Sequence, residues 1–531
     1  MENTNHSDKH YHKKSNMKKY LLSGIVLMCT YLTNAQLPDD VLRYSYFPQH
    51  GTARNMAIGG AMGSLGGDIT ALYVNPAGLA FYRTSDVVIS PGFIMNNNKA
   101  GYLGKDTFAK RNGFDLGITG AVFGFKSPRS KWTNEAFSIA VNQTANFNSN
   151  VYYKGNNRLS SYSEEFANQF SSSGQTIDDA INNPRFAYGT GLALYTYLVD
   201  TFRNANGDLV IKSLPEFLQQ SGIALNQEKR IETRGGIYEI ALGYAANMDD
   251  KIMLGASMGI PIVSYDRRSM YRESDPSGLD SNGFNYFQLN DTVNTKGVGI
   301  NLKLGLIYKP KEYIRLGLAI HTPTFYSLTD RQSTGLTANT ENHEGTLSTY
   351  SKFLTGGIEG KSLYTGMSPW RVMVSGSYVF REVKDTRKQR AFITADIEYV
   401  NYRGTRFGAD GENIGATDLQ YYADLKAVTK SMYKGSFNYK LGGELKFNTI
   451  MFRLGGAYYS SPYQEKLFKS SIMQASGGLG YRNHGMFIDL TYAHNWMKDV
   501  NFPYRLTTKE NYYAIQNNQR GNIMLTVGFK L

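Results

Sequence analysis

The sequence predicts an all-β fold, a transmembrane antiparallel β-barrel of about 14 strands with an N-terminal hatch (plug) inside its lumen. Three observations predict it. Apolar residues recur at a period of two in many separate stretches, the connections between those stretches alternate between short and long, and a glycine-rich segment precedes the first of them. Composition agrees, because 54 Gly, 39 Tyr and 28 Phe among 531 residues, with only 19% charged, suit many strands. The formal net charge of +13 does not imply nucleic acid as a partner: Lys and Arg stand singly among Tyr and Asn and form no basic helix or stripe.

Residues 1–35 read as a secretory signal peptide. Lys18 and Lys19 precede the apolar run Tyr20 to Leu32, and Thr33-Asn34-Ala35 puts a small residue before Gln36. Met1 to Asn16 is polar and unlike the start of such a peptide, so the sequence favours Met17 as the start and gives His6, His10 and His12 no metal to hold. The single cysteine, Cys29, lies inside the signal behind Met28, where a lipoprotein signal needs a small residue, so lipidation, disulfides and thiol chemistry are not expected. Beyond it no apolar run approaches the ~18 residues of a spanning helix, which leaves a barrel as the membrane option.

Residues 36–84 form the expected hatch. In "ARNMAIGGAMGSLGGD" the glycines Gly59, Gly60, Gly63, Gly66 and Gly67 permit close backbone packing, and Asp68 is placed to cap a short helix that Asn75-Pro76 ends. The tetrad Asn75-Pro76-Ala77-Gly78 breaks backbone regularity inside an apolar stretch. Pro76 has no N–H and pushes Asn75 toward extended geometry, so the freed backbone groups need polar yet enclosed surroundings. A barrel of this width cannot fill itself with its own side chains, and its lumen supplies that environment.

Residues 85–531 form the expected barrel. In "VGINLKLGLIY" Val298, Ile300, Leu302, Leu304, Leu306 and Tyr308 share one parity, with Asn301 and Lys303 on the other. The rhythm repeats in "YIRLGLAIH", "FNYKLGGELKF", "GMFIDLTYAH" and the terminal "NIMLTVGFKL", which puts Phe529 and Leu531 on the apolar parity. Strand starts are expected near Ser85, Gly113, Glu135, Arg230, Lys251, Thr292, Glu312, Thr365, Arg390, Tyr433, Ile450, Ser470, Gly485 and Gly521. Short turns are expected near Pro128, Asp249, Pro310, Lys384, Asn448 and Asn483, facing the periplasm with both termini. Long extracellular loops are expected at Asn96 to Asn112, Gly155 to Lys229, Glu273 to Asp291, Thr329 to Tyr364, Gly404 to Met432 and Asp499 to Arg520. Within the longest, Ser163 to Phe170 and Pro215 to Gln220 look helical. Tyr244, Tyr265, Tyr308, Tyr326, Tyr378, Tyr399 and Tyr458 are expected in the interfacial girdles.

The third strand carries a fault. Phe137, Ile139 and Val141 set a lipid-facing parity, yet the next residue on it is Gln143, inside the polar run Asn142, Gln143, Thr144. A bulge or inward kink there would remove the conflict and leave a gap in the wall beside the hatch, a candidate lateral opening.

Other motifs point nowhere. "GASMG" (Gly255 to Gly259) matches a nucleophile-elbow pattern, but the strand runs on through both sides and Ser257 reads as lumen-facing. His50, His321, His343, His484 and His494 lack ligand spacing, and Asp396 with Glu398 read as lumen carboxylates paired with Arg371 or Lys440. No catalytic residue, metal or cofactor is expected, and the protein is not expected to be an enzyme.

"GGDITALYVNPAGLA" resembles the hatch signature of the FadL family of outer-membrane transporters for long-chain fatty acids and other hydrophobic compounds. The family's Asn-Pro-Ala motif is matched by Asn75, Pro76 and Ala77, and the order of signal, glycine-rich segment, motif and strands is similar along the mature chain. The resemblance implies a monomeric outer-membrane barrel, assembled by the barrel assembly machinery among outer-membrane lipid and lipopolysaccharide. It implies passive uptake of a hydrophobic small molecule or fatty acid, with lateral release at the third strand. A general porin, or a barrel binding haem or aromatic compounds, remains the alternative. The long 155–229 loop departs from the family pattern and leaves the ligand open.

Overall fold

The structure, a computed structural model, describes residues 40–126, 130–380, 390–411, 414–465 and 470–531. The expected signal peptide and the turns expected at Pro128 and Lys384 lie outside the described residues. Among the described residues a single antiparallel sheet closes on itself as a barrel of 14 strands. The first strand is Asp86–Ile89 with Pro91–Tyr102, the second Lys105–Leu116 with Thr119–Lys126, and the third Trp132–Asn146 with Ser149–Asn157. Leu225–Met248, Ile252–Ser274 and Tyr286–Lys311 are the fourth to sixth. The seventh is Ile314–His321 with Phe325–Asn339, the eighth Gly360–Met367 with Arg371–Phe380, and the ninth Ala391–Asn401 with Arg406–Ala409. Gly435–Phe447, Ile450–Tyr459, Ile472–Asn483, Met486–Asn501 and Ala514–Lys530 complete the circuit. Pairing of Asp86 with Lys530 and of Gly92 with Met524 joins the last strand to the first, so the sheet has no free edge there.

Period two sorts the side chains as expected. On the sixth strand Val298, Ile300, Leu302 and Leu304 are exposed on the outer surface, whereas Asn301 and Lys303 are buried in the lumen. Tyr244, Tyr308, Tyr378, Tyr399 and Tyr458 also face outward, but Tyr265 and Tyr326 are buried. These two correct the expected girdle: height along a strand does not place a side chain outside unless its parity agrees. No helix among the described residues is long and apolar enough to cross a membrane.

Several strands run further than the sequence suggested, because their loop-end halves lose the apolar outer face while keeping the ladder. The expected loop Asn96 to Asn112 is instead an extended hairpin whose turn is Leu103-Gly104, both at positive φ. The seventh strand continues to Asn339 inside the expected loop Thr329 to Tyr364, and Thr346–Tyr350 pairs with it. The longest connection folds into helices Ser163–Ser173, Ile177–Asn182, Thr190–Tyr195 and Leu214–Gln220 and a hairpin of Val199–Arg203 with Leu209–Ser213. Phe166, Phe170, Leu192 and Leu198 of this unit pack on Tyr271, Phe284, Phe287 and Leu336 of the strand ends and the adjoining loop.

Candidate functional site: the filled lumen and the interrupted wall

Most of residues 40–82 is buried and bonded to lumen-facing side chains of the strands. Thr52 caps the helix Ala53–Ala57 by accepting from Asn55 N, and its Oγ1 donates to Asp68 Oδ2 at 2.9 Å. Asp68 also accepts from Thr70 N at 2.9 Å, but it does not cap the helix Ala71–Val74, whose N-cap is Thr70. The carboxylate therefore ties two turns of the segment together, a correction of its expected role. Asn75 ends that helix with extended geometry and caps the 3₁₀ turn Pro76–Phe81 through Ala77 N, with Pro76 where a missing N–H does no harm.

The Asn-Pro-Ala turn touches the wall itself. Asn75 Nδ2 donates to Gly63 O at 2.6 Å within the segment, and to Leu306 O at 3.3 Å and Leu318 O at 3.4 Å on the sixth and seventh strands. A Cβ on Gly305 would sit 1.9 Å from Asn75 Oδ1, and one on Gly255 2.4 Å from Ala77 N, so bare backbone there admits the turn. Gly78 is needed for a different approach, since its Cβ would lie 3.0 Å from Gly66 Cα. Other lumen groups hold the rest. Asp396 accepts from Gly63 N at 3.0 Å, Ser257 Oγ donates to Leu72 O, Tyr73 OH donates to Ala140 O, and Thr491 Oγ1 donates to Ala53 O. Nearer the turn end, the fully buried Arg453 bonds Glu444 at 2.6 Å and Asp489 at 2.5 Å, and Arg54 of the segment lies 3.6 Å from Glu444.

The ladder between the second and third strands stops partway. It pairs Thr119 with Val141 through Lys126 with Asn134, and beyond it no ladder joins Lys105–Leu116 to Ser149–Asn157 among the described residues. On its other side the third strand stays paired with the fourth, but with a bulge between Gln143 and Ala145. Its upper half leans inward, where lumen-facing side chains bind its backbone. Asn96 of the first strand donates to Asn148 O at 2.7 Å and Arg520 of the fourteenth to Asn146 O at 2.9 Å. The break itself is bridged by side chains: Leu116 N donates to Gln143 Oε1 at 3.1 Å and Asn146 Nδ2 to Phe114 O at 3.3 Å. Gln143 is thus buried rather than lipid-facing, because the bulge at Thr144 re-aims it. Thr144 Oγ1 donates to Ile237 O, and Asn142 is fully buried.

A cavity of about 90 Å³ opens beside this break, lined in part by Asn142, Thr144, Asn301 and Lys303. The sequence singled out Asn142 and Thr144 but not His50, whose Nε2 lies 2.6 Å from Asp115 Oδ2 of the second strand and whose Nδ1 lies 3.3 Å from Asn142 Oδ1. Nor did it assign Lys303, which is bonded to Glu239 and at 2.6 Å to Asn301. A lysine on the lumen parity of an otherwise apolar strand was the available signal. Glu398 lies 3.7 Å from Arg371 and 3.9 Å from Lys440, so these carboxylates and cations do share the lumen.

No protein-family model and no curated protein matches the chain. Solved structures do match. The crystal structure of a Pseudomonas aeruginosa FadL homologue aligns with TM-score 0.50 at 13% identity, covering 91% of this chain and 98% of that one. The P. putida toluene transporter TodX aligns with TM-score 0.48 at 13% identity over 91% and 99% of the two chains. For the Ralstonia pickettii toluene transporter TbuX the values are 0.46, 15%, 91% and 99%. At such identities likeness speaks for architecture alone, and the barrel circuit read above agrees with the first of these: this chain has a FadL-type fold.

Proposed function

We propose that the protein is an outer-membrane channel for passive uptake of hydrophobic compounds, in which residues 40–83 act as a hatch and cargo leaves sideways between the second and third strands. The observation that carries this reading is the interrupted ladder at Asn142 to Thr144, adjoining a lumen filled by the N-terminal segment. A water-filled porin has no use for a lumen occupied at its centre. A hydrophobic molecule, in contrast, gains free energy by moving from the lumen into lipid through the wall, about 25 cal/mol per Å² of apolar surface removed from water. The apolar outer belt suits a bilayer, and a closed barrel satisfies the backbone there. Long-chain fatty acids, as the FadL resemblance implies, are one candidate cargo; the protein performs no covalent step on it.

The test replaces Asn142-Gln143-Thr144 by Val-Leu-Val. Gln143 then no longer accepts from Leu116 N, and the strand regains an unbroken apolar outer parity, so the bulge loses its cause. Uptake of a hydrophobic tracer by cells expressing the variant should fall at least about tenfold, with heat-modifiable mobility showing an intact barrel. Uptake at the wild-type rate refutes the sideways exit.

A further inference from the structure

The cavity beside the wall break has a mixed lining: the rings of Tyr44, Phe47 and Tyr326 border it together with the polar groups of Asn142, Asn301 and Lys303. Such a lining suits an amphiphile better than a bare hydrocarbon. At about 90 Å³ it has room for several waters, and so for a small head group.

Asn142 narrows the head group. It is fully buried and its Oδ1 faces His50, but its Nδ2 has no hydrogen-bond partner among the described residues. A buried amide N–H without an acceptor is unfavourable, so an arriving oxygen gains more there than it would at a satisfied group. The cations of the cavity offer no such gain. Lys303 is bonded to Glu239, Arg371 and Lys440 both adjoin Glu398, and Lys440 is also paired across the ladder with Asp396. Each of these three cations already has a carboxylate within 4 Å. An incoming carboxylate would find no unpartnered cation and would be placed near Glu239 and Glu398, whereas a carbonyl or hydroxyl oxygen needs only the free donor.

We propose that this cavity receives the uncharged, hydrogen-bond-accepting head group of an amphiphilic cargo, a ketone, ester or alcohol oxygen on Asn142 Nδ2, with the apolar tail leaving past Thr144. The proposal rests on the uptake function and names its preferred cargo class.

The experiment measures binding of radiolabelled decan-2-one, decanoate at pH 8 and decane to the full-length barrel in lipid nanodiscs, with partitioning into empty nanodiscs subtracted. Decan-2-one should bind at least about tenfold more tightly than either other compound, the size of one well-made hydrogen bond. Asn142→Leu and Asn142→Asp, the latter keeping the size while replacing the donor by an acceptor, should both lower the ketone-to-decane preference about tenfold. Decanoate binding more tightly than the ketone overturns the head-group assignment while leaving hydrophobic uptake standing. Loss of ketone and decane binding in equal measure in both variants overturns it too. If none of the three compounds binds the wild type, the uptake reading falls and this one with it.

Discussion

Gly305→Ala tests whether the Asn-Pro-Ala turn seals the lumen by direct contact with the wall. The new Cβ would stand 1.9 Å from Asn75 Oδ1, against about 3.4 Å for ordinary contact, so the turn must retreat by roughly the difference, about 1.5 Å. A retreat of that size from the sixth strand breaks the 3.3 Å bond to Leu306 O and strains the 3.4 Å bond to Leu318 O. Each such bond is worth about 1 kcal/mol, and overpacking adds a further 1 kcal/mol or more. A total of about 2–3 kcal/mol raises the population with a displaced hatch roughly 30- to 150-fold. Gly376→Ala is the matched control, a strand glycine whose Cβ would meet nothing within 4 Å. Single-barrel recordings in planar bilayers should show rare openings for wild type and Gly376→Ala, and openings increased by that factor for Gly305→Ala. Equal opening frequencies in all three, with folded barrels, would refute the claim that the turn seals the lumen.

Two further outcomes concern the loop end. Glu273 is fully buried beneath the helices of the long loop and accepts from Ser161 Oγ, Tyr162 N, Gln227 Nε2 and Tyr271 OH, yet burial outweighs those donors and pushes its carboxyl up to about 7 from 4.5. A carboxyl with a raised folded value is neutral in both states in acid, so loop packing is strongest below about pH 4.5 and loses up to about 3 kcal/mol as pH rises through 7. Trypsin should cut within 158–224 faster at pH 8.5 than protease kinetics on the unfolded chain predict from pH 6, and Glu273→Gln should reduce the excess, the remainder coming from Glu165 of the same loop, whose carboxyl burial also pushes up to about 7; an undiminished excess in that variant counts against the assignment. Gly207, exposed at a hairpin tip with φ 85°, should accept an epitope that antibodies reach on intact cells, and detection only after outer-membrane permeabilisation would reverse the orientation.

Much of this molecule was legible in residue order because a barrel is built from local rules. Period two separates Leu302 and Leu304 from Lys303 whatever the rest of the chain does, and Pro76 interrupts a helix by its own covalent structure. The parity fault at Gln143 was likewise local, and a bulge sits beside it. Two kinds of information were absent. Strand ends at the loop side were misplaced, as at Lys105–Leu116, because above the membrane belt a strand has no reason to keep an apolar outer face and only the neighbouring ladder reveals it. Partners of the lumen were absent as well: His50 with Asp115, Lys303 with Glu239 and Gly305 against Asn75 lie 65, 64 and 230 positions apart. The sequence by itself determined which side chains face the lumen wherever a strand runs without a bulge, since that follows from alternation along it; at Gln143 the bulge decided otherwise. Which of them meet, which charges cancel and which amide of Asn142 is left without an acceptor was decided only when 14 strands closed around the N-terminal segment, because closure fixes distances that no local pattern encodes.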